Sequence, residues 1–128
     1  MRHSLLADCL STINNTEDVG KDECLVKASN LVLDVLKTIQ REGYIGEFEE
    51  IKDGKGGKFK VKLLGKINKC KIIKPHFSVA KDEFEKWEKR YLPAKGLGVL
   101  IVSTSRGIMT HQQAKEEGVG GKLIAYIY

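Results

Sequence analysis

Apolar residues recur along this chain with two periods. Near the N-terminus, Leu5, Leu6, Cys9, Leu10 and Ile13 fall at i, i+1, i+4, i+5 and i+8, which is one stripe on a helix over residues 4–15. The polar run NNTEDVGKD is expected to break that helix from Asn14 onward. The same spacing returns at Leu31, Val32, Val35, Leu36 and Ile39 and predicts a second helix over 30–42. Ser29 is its expected N-cap, and Gly43 stands where a left-handed residue is wanted at its end. Between the two, Glu23–Lys27 is a short strand candidate. Each helix has one face to bury.

The period then changes from helical to two. YIGEFEEI and KFKVKLL flank the Gly-rich KDGKGG, which predicts a hairpin. Phe59, Val61 and Leu63 take one side of its second strand, and Lys58, Lys60 and Lys62 take the other. Side chains on one strand face repeat about every 7 Å, so this lysine row can follow a charged backbone. It can equally decorate a sheet edge against aggregation. LGKINKCKIIKPHFSVA follows, punctuated by Gly65 and Pro75, and a domain junction is placed there. Two domains are expected, 1–67 and 68–128.

Downstream, KDEFEKWEKRYLPAKG predicts a short helix ended by Pro93 and Gly96. Its Phe84, Trp87 and Tyr91 at i, i+3, i+7 read as core more readily than as a base-stacking platform. LGVLIVS is a buried strand candidate. Thr110 to Gln113 fits a capping box that opens a two-turn helix, with Gly118 as its stop. GKLIAYIY closes the chain as a strand.

Composition narrows the class. The 128 residues are 41% hydrophobic and 30% charged, enough for one domain or two small ones and unlike a disordered chain. No apolar run reaches the roughly 18 residues of a membrane span. The N-terminus lacks the h-region and cleavage site of a signal peptide. A cytoplasmic protein with no membrane partner is expected. Cys9, Cys24 and Cys70 are read as reduced thiols, and His3, His76 and His111 form no ligand spacing, so neither a metal nor a cofactor is expected.

Charge is the sharper signal. Residues 52–74 hold nine lysines and one acid, a net +8, whereas the other 105 residues hold 13 bases and 16 acids, a net −3. So local a basic patch suits a polyanion, most often nucleic acid. A merely solvated lysine-rich hairpin has the same signature.

The stretch VLIVSTSRGIMTHQQAKEEGVGG carries the remaining candidate chemistry. A strand, Ser103-Thr104-Ser105, Gly107 and a helix suggest a nucleophile elbow, but the first Gly of G-x-S-x-G is absent and the acid and His follow in the wrong order. Lys122 follows Gly121 as in a phosphate loop, but Glu116 stands where the first Gly belongs and Leu123 replaces Ser/Thr. A small serine hydrolase or nucleotide-binding enzyme using Ser105 is therefore the alternative, not the lead, and a protein–protein module is a third. Hydroxyls and backbone N–H groups at a turn suit phosphates, 2′-OH groups and base edges better. Gly107, Gly120 and Gly121 permit close backbone approach.

The run VLIVSTSRGIMTHQQAKEEGVGGKLIAYIY resembles the C-terminal signature of the small-subunit ribosomal protein eight family. LADCLSTINN, REGYIGEFE and GKINKCKIIKPHF extend the resemblance over essentially the whole chain. The last of these, with EKWEKRYLPA, is closer to the archaeal and eukaryotic branch. The resemblance implies an α+β fold: an N-terminal unit of two helices on a three-stranded sheet, then a mixed, mostly-β C-terminal unit with short helices. It implies a non-enzymatic, cytoplasmic constituent of the small ribosomal subunit that binds the central domain of small-subunit ribosomal RNA and supports its assembly. Neighbouring small-subunit ribosomal proteins would be its other partners, and it would be monomeric when free. The implied RNA-binding residues are Ser103, Thr104, Ser105, Gly107, Gly120, Gly121 and Lys122, with Lys55 and Lys58 from the basic hairpin. Lys27-Ala28-Ser29-Asn30 and Asp34 depart from the family pattern at the start of the second helix.

Overall fold

The computed structural model describes residues 5–52, 54, 57–94 and 96–128, with side chains for all of these except 74–77. The elements in chain order are α1 (Leu5–Asp18), β1 (Glu23–Lys27), α2 (Asn30–Arg41), β2 (Ile45–Ile51), β3 (Lys58–Leu63), β4 (Cys70–Val79), α3 (Phe84–Tyr91), β5 (Val99–Thr104), β6 (Gly107–Thr110), α4 (His111–Glu117) and β7 (Gly121–Ile127). The chain divides into two units between Cys70 and Lys71. The α+β fold expected from the sequence is present. Among the described residues, no helix is long and apolar enough to cross a membrane.

In the first unit the sheet order is β1-β3-β2, both ladders antiparallel. α1 packs on β1, α2 packs on β2, and the two helices touch. Most of each predicted stripe is buried, Leu6, Cys9, Leu10 and Ile13 from α1 and Val32, Val35, Leu36 and Ile39 from α2, but the first residue of each, Leu5 and Leu31, is exposed. Each large side chain buried this way contributes about 1.5–3 kcal/mol. Ser29 caps α2 as expected, its hydroxyl accepting from the Val32 N–H at 3.1 Å. Phe59, Val61 and Leu63 are buried, and Phe48 and Phe59 meet edge to face at 5.7 Å between centroids.

Three features of this unit are set by tertiary structure rather than by local pattern. α1 does not break at Asn14. It runs to Asp18 and stops at Gly20, where the Gly20 N–H reaches Glu17 O and the Lys21 N–H reaches Thr16 O, the paired bonds of a Schellman end. Asn14 stays helical because its side chain has a tertiary partner, accepting from the Cys70 N–H at 3.1 Å. β2 carries a bulge between Ile45 and Phe48, which returns Phe48 to the inner face. Finally, β3 is the central strand, so its lysines do not guard an edge.

The second unit has sheet order β4-β7-β5-β6. β5 pairs antiparallel with β7 and with β6. β5 and β7 are buried almost throughout, and a bulge at Ile101/Val102 sets Leu100 opposite Tyr126 and Val102 opposite Leu123 on one face. There they join Ile73, Val79, Phe84, Leu92, Met109 and Ala114 in one core. α3 and α4 form where the patterns place them. Leu92, the residue before Pro93, ends α3 in an extended conformation. The Thr110 hydroxyl caps α4 by accepting from the Gln113 N–H at 3.2 Å, and Gly118 stops it. Two strands have no counterpart in the sequence patterns. β6 follows a turn too tight to separate from it by alternation. β4 runs through Pro75, and it lies at the sheet edge, where proline is tolerated.

Candidate nucleic-acid interface

The Ser-Thr-Ser segment sits at the end of β5 and turns directly into β6. Thr104 opposes Gly107, leaving Ser105 and Arg106 as the loop. Neither has a positive φ, which excludes the mirror-image two-residue turns. The next residue, Gly107, takes φ +113, a value that non-Gly side chains resist. The Thr104 hydroxyl locks this arrangement. It donates to Gly107 O at 2.8 Å and accepts from the Arg106 N–H at 3.0 Å. Thr104 is thus engaged within the turn.

Ser105 is different. It is exposed at the loop tip, and its hydroxyl has no partner among the described residues. Ser103 is half-buried and pairs in register with exposed Lys122 of β7. Arg106 is drawn back onto α4, its guanidinium 3.2 Å from the Glu117 carboxylate. An exposed pair of this kind contributes little stability, but it removes the one arginine of the turn from the open face. Lys122 is left as the cation beside the serines.

Ser103, Thr104, Ser105, Gly120, Gly121 and Lys122 line one open depression, together with Ser78, Val79 and Ala80 from the end of β4. The glycine pair makes this convergence physically possible. A Cβ on Gly120 would meet Val79 O, and one on Gly121 would meet Ser103 O, with Val102 Cγ1 at 2.9 Å. Side chains at these two positions would hold β7 away from β4 and β5. Gly107 closes the turn but is not part of the lining, and nothing lies within 4 Å of where its Cβ would be. The Ser78–Ala80 segment was not legible from the sequence: the Gly-Gly pair announces that some backbone comes close, but not which.

The depression offers hydroxyls, backbone groups and one ammonium. His111, the sole histidine after Ser105, does not serve it. Its ring is 2% exposed, its Nδ1 accepts from the Leu100 N–H at 3.0 Å, and its Nε2 is 2.9 Å from the Glu88 carboxylate. Lys115 also pairs with Glu88. Burial, the largest cause, holds the His111 pKa below its ordinary value; the Glu88 carboxylate opposes this and Lys115 adds to it. His111 thereby offers no base to Ser105, and the hydrolase alternative has no support among the described residues.

The basic hairpin belongs to the first unit. Lys55 lies outside the described residues. On the outer face of the sheet, Lys62 opposes Glu23 and Lys60 opposes Glu49, with Lys60 Nζ 3.5 Å from Glu23. At the turn end, Lys58 is flanked instead by Lys27 and Ile51. On this face the lysines without an acid opposite are therefore Lys58 of β3 and Lys27 of β1. The three thiols are free: Cys9 and Cys70 are buried and pushed up to about 12 by desolvation, and half-buried Cys24 to about 11. They are unreactive at neutral pH.

An open site of hydroxyls, close-packed glycine backbone and a single free cation is suited to hydrogen-bonding an RNA surface. The sequence model of the family described as Ribosomal protein S8 matches residues 4–128. The match takes in both units and the whole depression, and the chain belongs to the Ribosomal protein S8 family, ribosomal proteins of the small subunit that bind ribosomal RNA.

Proposed function

We propose that the depression at the β5–β6 turn is the specific ribosomal-RNA contact of this protein, that its target is the central domain of small-subunit RNA, and that binding there supports assembly of the subunit in the cytoplasm. The observation that carries this is the exposed, unpartnered Ser105 hydroxyl at the tip of a turn that Thr104 has already fixed. A donor and acceptor held in place before binding loses little conformational freedom when it bonds a base edge or a 2′-OH. Ser103 and Lys122, side by side on adjacent strands, contact sugar and phosphate. Thr104 acts through the turn. Lys58, with Lys55 of the same hairpin, supplies affinity by counterion release. GKINKCKIIKPHF and EKWEKRYLPA support an archaeal or eukaryotic type, and the free chain is proposed to be a monomer.

Ser105→Ala is expected to weaken binding to a central-domain RNA fragment by about 1–3 kcal/mol, the scale of one lost base-reading contact. Thermal stability should be unchanged. Equal affinity of variant and wild type would remove Ser105 from the interface. Lys58→Ala should reduce the slope of log K against log salt by about one. Lys60→Ala should reduce it less, because its ammonium already faces Glu23. Titrations at four salt concentrations separate the two, and identical slopes for both variants would show that position along β3 does not matter.

A further inference from the structure

α3 carries a second charged surface, separate from the serine turn. Trp87, Tyr91, Tyr126 and Tyr128 form a ladder of stacked rings, with successive centroids 6.3, 5.3 and 6.1 Å apart and planes within 28° of parallel. Tyr126 and the three partly buried rings pack on the core of the second unit, so the ladder is a rigid shelf. Along its rim lie Lys86, Lys89 and Arg90, at i, i+3 and i+4 on one helical face. Lys86 Nζ lies 5.3 Å from the Trp87 ring centre, and the Arg90 guanidinium lies 5.5 Å from Trp87 and 5.7 Å from Tyr91.

This grouping is not explained by the needs of the helix. Cations in the last turn complement the helix dipole, which accounts for Lys89 and Arg90 but not for Lys86 in the first half. Like charges at these spacings repel. Among the described residues, no carboxylate forms an ion pair with any of the three. Glu85, beside Lys86 and four residues before Lys89, forms no ion pair with them, and Glu88 is directed to His111 and Lys115. Cation–π contact instead holds Lys86 and Arg90 against the shelf. A stacked guanidinium keeps its planar fork oriented for bidentate bonding to a phosphate.

We infer that this face of α3 is a second RNA contact, in which Lys86, Lys89 and Arg90 bind sugar–phosphate backbone over the Trp87–Tyr91 shelf. The inference rests on the RNA-binding character of the chain and adds a site to the serine turn. An acidic protein segment would meet the same cations, but an aromatic shelf with an arginine plane suits a stacked polyanion better.

Trp87 is the single tryptophan of the chain, so its emission reports on this face alone. With the full chain and a central-domain transcript, Trp87 emission should change saturably and follow the binding isotherm. Arg90→Ala should lower the salt slope of log K by about one and Lys86→Ala/Arg90→Ala by about two. Arg90→Lys, which keeps the charge, should retain the wild-type slope. Circular dichroism checks that the variants fold. If wild type binds and Ser105→Ala weakens binding, but Trp87 emission stays flat and the α3 variants keep the full slope, the second contact is wrong and the first stands. Emission that responds to neighbouring ribosomal proteins and not to RNA would likewise overturn it. Absence of any wild-type binding would sink both.

Discussion

Gly121→Ala is expected to destabilise the protein by about 3 kcal/mol, at the upper end of what overpacking costs. The added Cβ would overlap Ser103 O and crowd Val102 Cγ1 at 2.9 Å. A flexible side chain could move aside, but a carbonyl inside a β ladder cannot move without shifting its strand. Gly121 opens β7, which lies between β4 and β5, so relief in one direction moves Ser103 away from its pairing with Lys122. RNA affinity should therefore fall together with stability, unlike the Ser105→Ala case, where affinity falls alone. Urea denaturation of the variant checks the first expectation and an RNA titration the second. A variant within about 0.5 kcal/mol of wild type, the range of neutral surface changes, would show that β7 and β5 are not so closely apposed.

His111→Ala should cost as much or more, about 3–5 kcal/mol. The substitution empties a fully buried ring site, orphans the Leu100 N–H and removes the group that faces Glu88. It also removes a pH dependence with a definite sign. Burial keeps the folded-state ring below its ordinary pKa of 6.5, so protonation favours the unfolded chain. The N–H of Leu100 aimed at Nδ1 likewise needs the neutral ring. Above 6.5 neither state is protonated and the full contribution is present. As pH falls through 6.5 toward the depressed folded value, the unfolded chain takes up a proton first and stability is lost. The stability gap between wild type and His111→Ala should narrow from pH 7.5 to pH 5, by no more than about 1.4 kcal/mol per pH unit. A gap independent of pH in that window would mean that His111 does not titrate differently in the two states.

Some of this architecture was legible in advance because it depends on near neighbours in the chain. The α2 stripe, the Ser29 cap, the Phe59–Val61–Leu63 alternation and the Thr110–Gly118 helix all rest on spacings of two to four residues. Those spacings decide which side chains share a face whatever the rest of the fold does. The errors arose where a distant contact overrode a local preference. Asn14 ranks poorly in helices, yet its bond to Cys70, far along the chain, keeps it there. Pro75 suggested a break, yet β4 tolerates it at the sheet edge.

The candidate site divides along the same line. By itself the sequence determined its chemistry: hydroxyls at a turn, glycines beside them, lysines concentrated elsewhere. Tertiary structure decided how those residues are used. The turn geometry committed the Thr104 hydroxyl internally and left Ser105 free. Strand order brought Ser78–Ala80 to the serines and gave Gly120 and Gly121 their steric reason. Sheet pairing matched Lys60 and Lys62 with acids and left Lys58 beside Lys27. Residue type sets what a group can bond, and only the packing of distant segments decides whether its partner is already inside the protein.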